Sequence, residues 1–167
     1  IKDQGLWALF LDEELGGPGF GQLKLGLINE ILGRYPSAPQ MFGAAAPDTG
    51  NMEMLAAYGT DEQKKRWLQP LLDQEMFSAY SMTEPQGGSD PNLFTTYATR
   101  DGEEWVLNGQ KVWTTGAQLS DFGAVIARTN VDVPKHRGIS MFISDFRAPG
   151  VEIRPLRQMN GGSGFNE

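Results

Sequence analysis

Apolar residues at Leu23, Leu27, Ile28, Ile31 and Leu32 recur at spacings of three and four, the period of an amphipathic helix. Gly16, Gly17, Pro18, Gly19 and Gly21 crowd the stretch before it into a loop. Tyr35-Pro36 is expected to close the helix, because the residue before a proline is pushed out of helical conformation. A second helix is expected from Asp48 or Thr49 through Met52, Leu55, Ala56 and Tyr58, with Gly59 as a left-handed stop. Thr60 reads as the next N-cap, with Asp61 and Glu62 in the first turn and Gln63 at the capping-box position. Trp67, Leu68, Leu71 and Leu72 give that helix its apolar side, and these Met, Trp and Leu stripes are read as core.

After Asp73 the period changes from helical to extended. Strands are expected at Phe77 to Thr83, Leu93 to Arg100, Glu103 to Leu107, Lys111 to Thr115, Phe122 to Thr129 and Ile139 to Phe146, with a short one around Val151 to Ile153. Asp101-Gly102 is a turn signal, and Asn108-Gly109 is expected to turn a hairpin into the Lys111 strand. The chain thus divides into an N-terminal all-α region over residues 1–75 and an antiparallel β domain over residues 76–167. A doubly wound α/β fold is disfavoured, since no helix-length segments alternate with the later strands.

Composition narrows the chemistry. The 167 residues are 40% hydrophobic, enough for one domain or two small ones, and 21 Gly with 10 Pro suit a turn-rich β component. The absence of cysteine removes disulfides, thiolate nucleophiles and Cys-ligated metals. A net charge of −7 excludes the electrostatic footprint of a nucleic-acid binder, so an anionic cofactor would need local donors. No apolar run approaches a membrane span, and the first residues do not form a signal peptide. The lone His136, among Asp132, Pro134, Lys135 and Arg137, is read as part of a solvated loop and makes no metal site.

Two segments carry candidate chemistry. Tyr80-Ser81-Met82-Thr83-Glu84-Pro85-Gln86-Gly87-Gly88-Ser89-Asp90 feeds a strand into a loop with adjacent glycines, which can turn backbone N–H groups toward an anion while Thr83 and Ser89 add hydroxyls. Gly109-Gln110-Lys111-Val112-Trp113-Thr114-Thr115-Gly116-Ala117 would place Trp113 and Thr115 on one face if it is a strand, offering an aromatic wall and a hydroxyl to a planar cofactor. Taken singly, each also fits an ordinary turn or a β core.

Together the two segments resemble the acyl-CoA dehydrogenase family, whose middle domain carries Tyr-x-x-Thr-Glu-Pro-x-x-Gly-Ser-Asp and, about two dozen residues later, Trp-Ile-Thr-Asn-Gly. The first matches from Tyr80 to Asp90; in the second, Thr114 replaces the common isoleucine and Gly116 the common asparagine. Tyr58 to Leu68 and the Leu15-Gly16-Gly17 loop are similar to the family's N-terminal helical region. The resemblance implies a multidomain α and β fold, with an all-α N-terminal region followed by an antiparallel β-barrel-like middle domain that stops short of its C-terminal side.

It further implies a flavoprotein oxidoreductase of fatty acid and lipid metabolism, an FAD-dependent acyl-CoA dehydrogenase. A base would remove an α proton from an acyl-CoA thioester and a hydride would pass from Cβ to flavin N5. The positions matching the family's cofactor site are Tyr80, Met82, Thr83, Gly88, Ser89, Trp113, Thr114 and Thr115, with Ser89 also serving the thioester ligand. The catalytic base is expected from a C-terminal domain outside this chain; Glu84 is read as structural or cofactor-positioning. Implied partners are an acyl-CoA substrate, an electron-transfer flavoprotein or similar acceptor, and further copies in a dimer or tetramer, with neither nucleic acid nor metal. Localisation is expected to be cytoplasmic in a bacterium, otherwise mitochondrial or peroxisomal. An acyl-CoA oxidase or flavin monooxygenase on the same scaffold, separable by fast reoxidation in O₂, is an alternative reading. A non-enzymatic CoA- or protein-binding module, separable by the absence of flavin colour, is another.

Overall fold

The helical period of the first 75 residues becomes a run of short helices, and the extended pattern after them becomes a sheet. The computed structural model describes residues 1–88 and 90–167, which divide into two units, Ile1–Met76 and Phe77–Glu167.

The first unit holds α1 (Gly21–Leu32), α2 (Ala38–Met41), α3 (Asp48–Tyr58) and α4 (Asp61–Gln63), the last running through a π-helical segment (Lys64–Leu68) into α5 (Gln69–Asp73). Tight 3-10 turns at Lys2–Gln4 and Glu13–Leu15 precede α1. Its core is built from Met52, Leu55, Ala56, Leu68 and Leu71, together with Ala8, Leu9, Phe10 and Leu11 from the segment ahead of the glycine loop. Thr60 caps α4 reciprocally: its hydroxyl accepts from the Gln63 N–H at 3.2 Å, and its own N–H donates to Gln63 Oε1 at 2.9 Å.

Three local expectations are corrected here. The α1 helix ends at Leu32, before Tyr35-Pro36, with the Gly33 N–H bonded to the Asn29 carbonyl. Gly59 is extended (φ −68°, ψ 145°) and not left-handed; a Cβ there would lie 2.5 Å from the Leu55 carbonyl oxygen, so close approach is what demands glycine. On α1 the buried residue is Leu25, whereas Leu23 (81% exposed), Leu27 and Ile31 line an outer face. Spacings of three and four occur on both sides of this leucine-rich helix, so the period marked a helix without marking its inner face.

The second unit is organised by β4 (Phe122–Arg128), buried from Phe122 through Ala127 as a strand covered on both faces must be. β5 (Ile139–Asp145) pairs antiparallel along one edge, in register from Phe122 opposite Asp145 to Arg128 opposite Ile139. Along the other edge lies β1 (Ser78–Ser81), parallel, with Ser78 opposite Phe122. β2 (Tyr97–Asp101) follows with a single parallel pair, Tyr97 opposite Arg128, and forms an antiparallel hairpin with β3 (Glu104–Asn108). Two short strands, β6 (Pro155–Leu156) and β7 (Phe165–Asn166), make a separate antiparallel ribbon.

The sheet is therefore mixed and open. This corrects the expectation of an antiparallel, barrel-like domain, since no closed barrel forms among the described residues. Parallel pairing needs a long crossover, and the chain between β1 and β4, which contains the β2–β3 hairpin, supplies one. Asn108-Gly109 turns no hairpin; the β2–β3 turn lies between Asp101 and Glu104. Gly109 instead passes against Thr96, whose Cα would lie 2.6 Å from a Cβ at that position. Lys111 to Thr115 is not a strand, and the short strand expected near Val151 forms at Pro155–Leu156.

Candidate functional site

The first motif begins where β1 leaves the sheet. Ser78, Ala79 and Ser81 of β1 are buried, and Tyr80 alone is exposed, at 42%. Beyond Ser81 the chain turns back on itself: the Glu84 N–H donates to the Gly88 carbonyl at 3.0 Å, and the Gly88 N–H returns to the Glu84 carbonyl at 2.9 Å. Gly88 has φ 58°, and nothing lies within 4 Å of where its Cβ would stand. Ser89 lies outside the described residues.

The second motif is stitched onto the first. The Val112 N–H donates to the Thr83 carbonyl at 2.9 Å, and Lys111 Nζ donates to the Met82 carbonyl at 2.9 Å and to Glu84 Oε1 at 2.8 Å. Met82 and Thr83 are thereby fixed beside Lys111 and Val112.

Glu84 is the hub of this junction. Its side chain is fully buried, Oε1 also accepts the Thr96 N–H at 3.0 Å, and Oε2 accepts the Thr95 N–H at 2.6 Å, the Thr95 hydroxyl at 3.0 Å and the Gln86 amide. Burial pushes this carboxyl up, but the Lys111 ammonium and the Thr95, Thr96 and Gln86 donors outweigh it and hold the group at about 2. Burial likewise pushes Lys111 down, opposed by Glu84, and the ammonium sits 4.3 Å from the centre of the Phe94 ring. A carboxylate engaged by five donors is a fixed anion that joins segments. It is a poor proton acceptor.

Trp113 departs most from the expected geometry. Its φ is 61°, in the left-handed region that bulky L-residues avoid, and the residue is 57% exposed. The strand alternation invoked to put Trp113 and Thr115 on one face is absent. The Trp113 ring stands edge-on to Phe165, centroids 5.8 Å apart and planes at 88°. Thr114 is buried, its N–H donating to the Asn166 carbonyl at 3.0 Å and its carbonyl accepting the Asn166 N–H at 3.1 Å and Nδ2 at 3.0 Å. Thr115 is exposed, and Gly116 follows at φ 71°.

Phe165, Asn166 and Gln118, whose side-chain oxygen accepts from Asn166 Nδ2, had no signal in the sequence. Phe165 and Asn166 reach the site from about 50 residues away, through a glycine-rich stretch without periodicity. His136 lies exposed in a 3-10 turn (Lys135–Gly138), and no group of three or more metal-ligating side chains occurs among the described residues. A cavity of about 460 Å³ in the same unit, walled by Leu107, Val125, Ser144, Thr96 and Thr114 among others, contains neither Trp113 nor Thr115.

Comparison with known proteins returns two family profiles: acyl-CoA dehydrogenase, N-terminal domain, over residues 1–75, and acyl-CoA dehydrogenase, middle domain, over residues 79–166. A Mycobacterium tuberculosis protein named "Probable acyl-CoA dehydrogenase FadE2" is 43% identical over 156 residues, covering 91% of this chain and 38% of that protein. A solved Mycobacterium abscessus structure assigned to the acyl-CoA dehydrogenases superposes with a TM-score of 0.90 at 36% identity, over 99% of this chain and 43% of the other. A glutaryl-CoA dehydrogenase from Mycobacterium smegmatis, solved in complex with FADH2, does so with a TM-score of 0.72 at 27% identity, over 93% of this chain and 38% of the other. The chain thus spans less than half the length of these relatives.

Proposed function

Since the chain belongs to the acyl-CoA dehydrogenase family, we propose that it forms the flavin-facing part of an FAD-dependent enzyme that oxidises an acyl-CoA thioester between Cα and Cβ. The observation that carries this reading is the junction of the two motifs. Val112 is bonded to Thr83, and Lys111 to Met82 and Glu84, which fixes the Tyr80–Gly88 and Trp113–Thr115 segments against one another.

The residues present fit a flavin. An exposed tryptophan held in a disfavoured backbone conformation offers a large aromatic surface, and the exposed Thr115 adds a hydroxyl two residues on. Thr83 and the Gly88 turn would contribute polar donors, Tyr80 and Met82 further surface, and Thr114 a buried anchor for the tryptophan loop. Ser89 is proposed for the pyrophosphate region and the thioester. When bound, FAD would accept the hydride leaving Cβ.

The chain's own residues would orient the ring and place a hydroxyl where negative charge develops on it. The α proton requires a base within about 3 Å. Glu84 is spent on its five donors, so the base is proposed to come from parts of the longer protein beyond these residues. The same reading proposes an electron-transfer protein as acceptor and a homo-oligomeric enzyme.

The test is anaerobic. The full-length protein should be yellow and should bleach on mixing with an acyl-CoA, whereas slow reaction of the reduced form with O₂ would separate a dehydrogenase from an oxidase. Colourless protein that takes up no added FAD, or bound flavin indifferent to every acyl-CoA tried, would refute the proposal.

A further inference from the structure

Trp113 sits where its own backbone prefers not to be. A left-handed φ crowds Cβ against the following carbonyl oxygen, and a tryptophan left more than half exposed forgoes burial. Such a conformation persists only when its surroundings over-determine it. Here three constraints do so. Upstream, the Val112 N–H is tied to the Thr83 carbonyl. Downstream, Thr114 is tied by both its N–H and its carbonyl to the Asn166 main chain, and the Asn166 side chain adds a bond from Nδ2 to the same carbonyl at 3.0 Å while also reaching Gln118. At the ring itself, Phe165 stands edge-on and blocks rotation toward its side. Asn166 is wholly buried, so its amide competes with no water for these partners.

We infer that Phe165 and Asn166 are positioning residues that hold Trp113 in its strained, outward-facing conformation before the cofactor arrives. The inference rests on the flavin reading above and assigns β7 a role in it. Holding the ring in place in the free protein removes the ordering cost that flavin binding would otherwise carry, so weakening the buttress should weaken cofactor affinity without removing any group that touches the cofactor.

The experiment uses full-length protein labelled with 5-fluorotryptophan, in which single Trp→Phe variants at Trp7, Trp67, Trp105 and Trp113 assign the ¹⁹F resonances of these four tryptophans. Asn166→Ala removes the amide bonds; Phe165→Leu keeps an apolar side chain but removes the ring edge and leaves the Thr114 bonds untouched. In the flavin-free form, both are expected to shift or broaden the Trp113 resonance while those of Trp7, Trp67 and Trp105 stay in place. Titration with FAD should then give a Kd raised about tenfold, the equivalent of one well-made buried hydrogen bond.

If Asn166→Ala moves all four resonances, the protein has lost its fold and Phe165→Leu alone decides. An unmoved Trp113 resonance with unchanged FAD affinity in a folded variant overturns the inference. If unsubstituted protein fails to bind FAD at all, the flavin reading falls and this one with it. That outcome is distinguished by the unsubstituted control.

Discussion

Replacing Glu84 with glutamine tests the junction on which the site is built. The substitution keeps shape but removes the charge opposite Lys111, and it turns one acceptor oxygen into a donor. Either orientation of the new amide sets donor against donor: toward Lys111 Nζ and the Thr96 N–H on one side, or toward the Thr95 N–H and Gln86 on the other. Lys111, its side chain largely buried, loses its charged partner and keeps the Met82 carbonyl as a neutral acceptor. Breaking a buried pair from one side costs about 3–5 kcal/mol, a large share of the roughly 5–15 kcal/mol of a typical domain.

The titration of Glu84 agrees in size. A carboxyl held at about 2 in the fold rather than 4.5 contributes roughly 3 kcal/mol. Because the folded value is depressed, that contribution is fully present above pH 4.5 and is lost as pH falls through about 2. The burial that depresses Lys111 offsets part of it. Urea denaturation at neutral pH should therefore show Glu84→Gln destabilised by about 3 kcal/mol or more, and the gap between variant and parent should shrink below pH 4.5. Pairing the change with Lys111→Met should recover part of the loss, since no unpaired ion remains. A native-like Glu84→Gln protein within about 1 kcal/mol of the parent would refute the claim that this pair joins the two segments.

Two further outcomes follow from local geometry. Thr60→Ala removes the capping box at α4 and should cost about 1 kcal/mol, read as a lower urea midpoint with unchanged slope; no change would mean that the cap is idle. Gly109→Ala would drive a Cβ into Thr96, beside the Glu84 hub, and should lower stability by about 1–3 kcal/mol in the same assay; a neutral result would show that the Thr96 backbone gives way freely.

The sequence made some features legible because their causes are local. The Thr60 capping box, the central strand from Phe122 and its partner from Ile139 were all written in short-range pattern. What it did not show depends on contacts distant along the chain. The run Ala8 to Leu11 has no helical period yet is core, because hydrogen bonds from Ala8 to Phe42, and to Leu9 and Leu11 from Phe20 and Gly19, hold it inside. Asn108-Gly109 has hairpin chemistry, but the partner strand it would need is drawn away by Thr83 and Asn166, which bond Val112 and Thr114. The parallel pairing of β1 with β4 is a matter of topology that alternation along one strand cannot report. At the site, the motif residues could be named from their spacing, whereas the left-handed Trp113 and its supports Phe165 and Asn166 could not.

The most direct test of the central claim, that the joined Tyr80–Gly88 and Trp113–Thr115 segments face a flavin, is a measurement of FAD content and anaerobic bleaching by acyl-CoA in full-length Trp113→Ala and Thr115→Val proteins. Removing the aromatic wall should weaken FAD retention at least about tenfold, while loss of the Thr115 hydroxyl should leave retention nearer normal and slow the bleaching per bound flavin. Cofactor content and reduction rate unchanged in both variants would contradict the account.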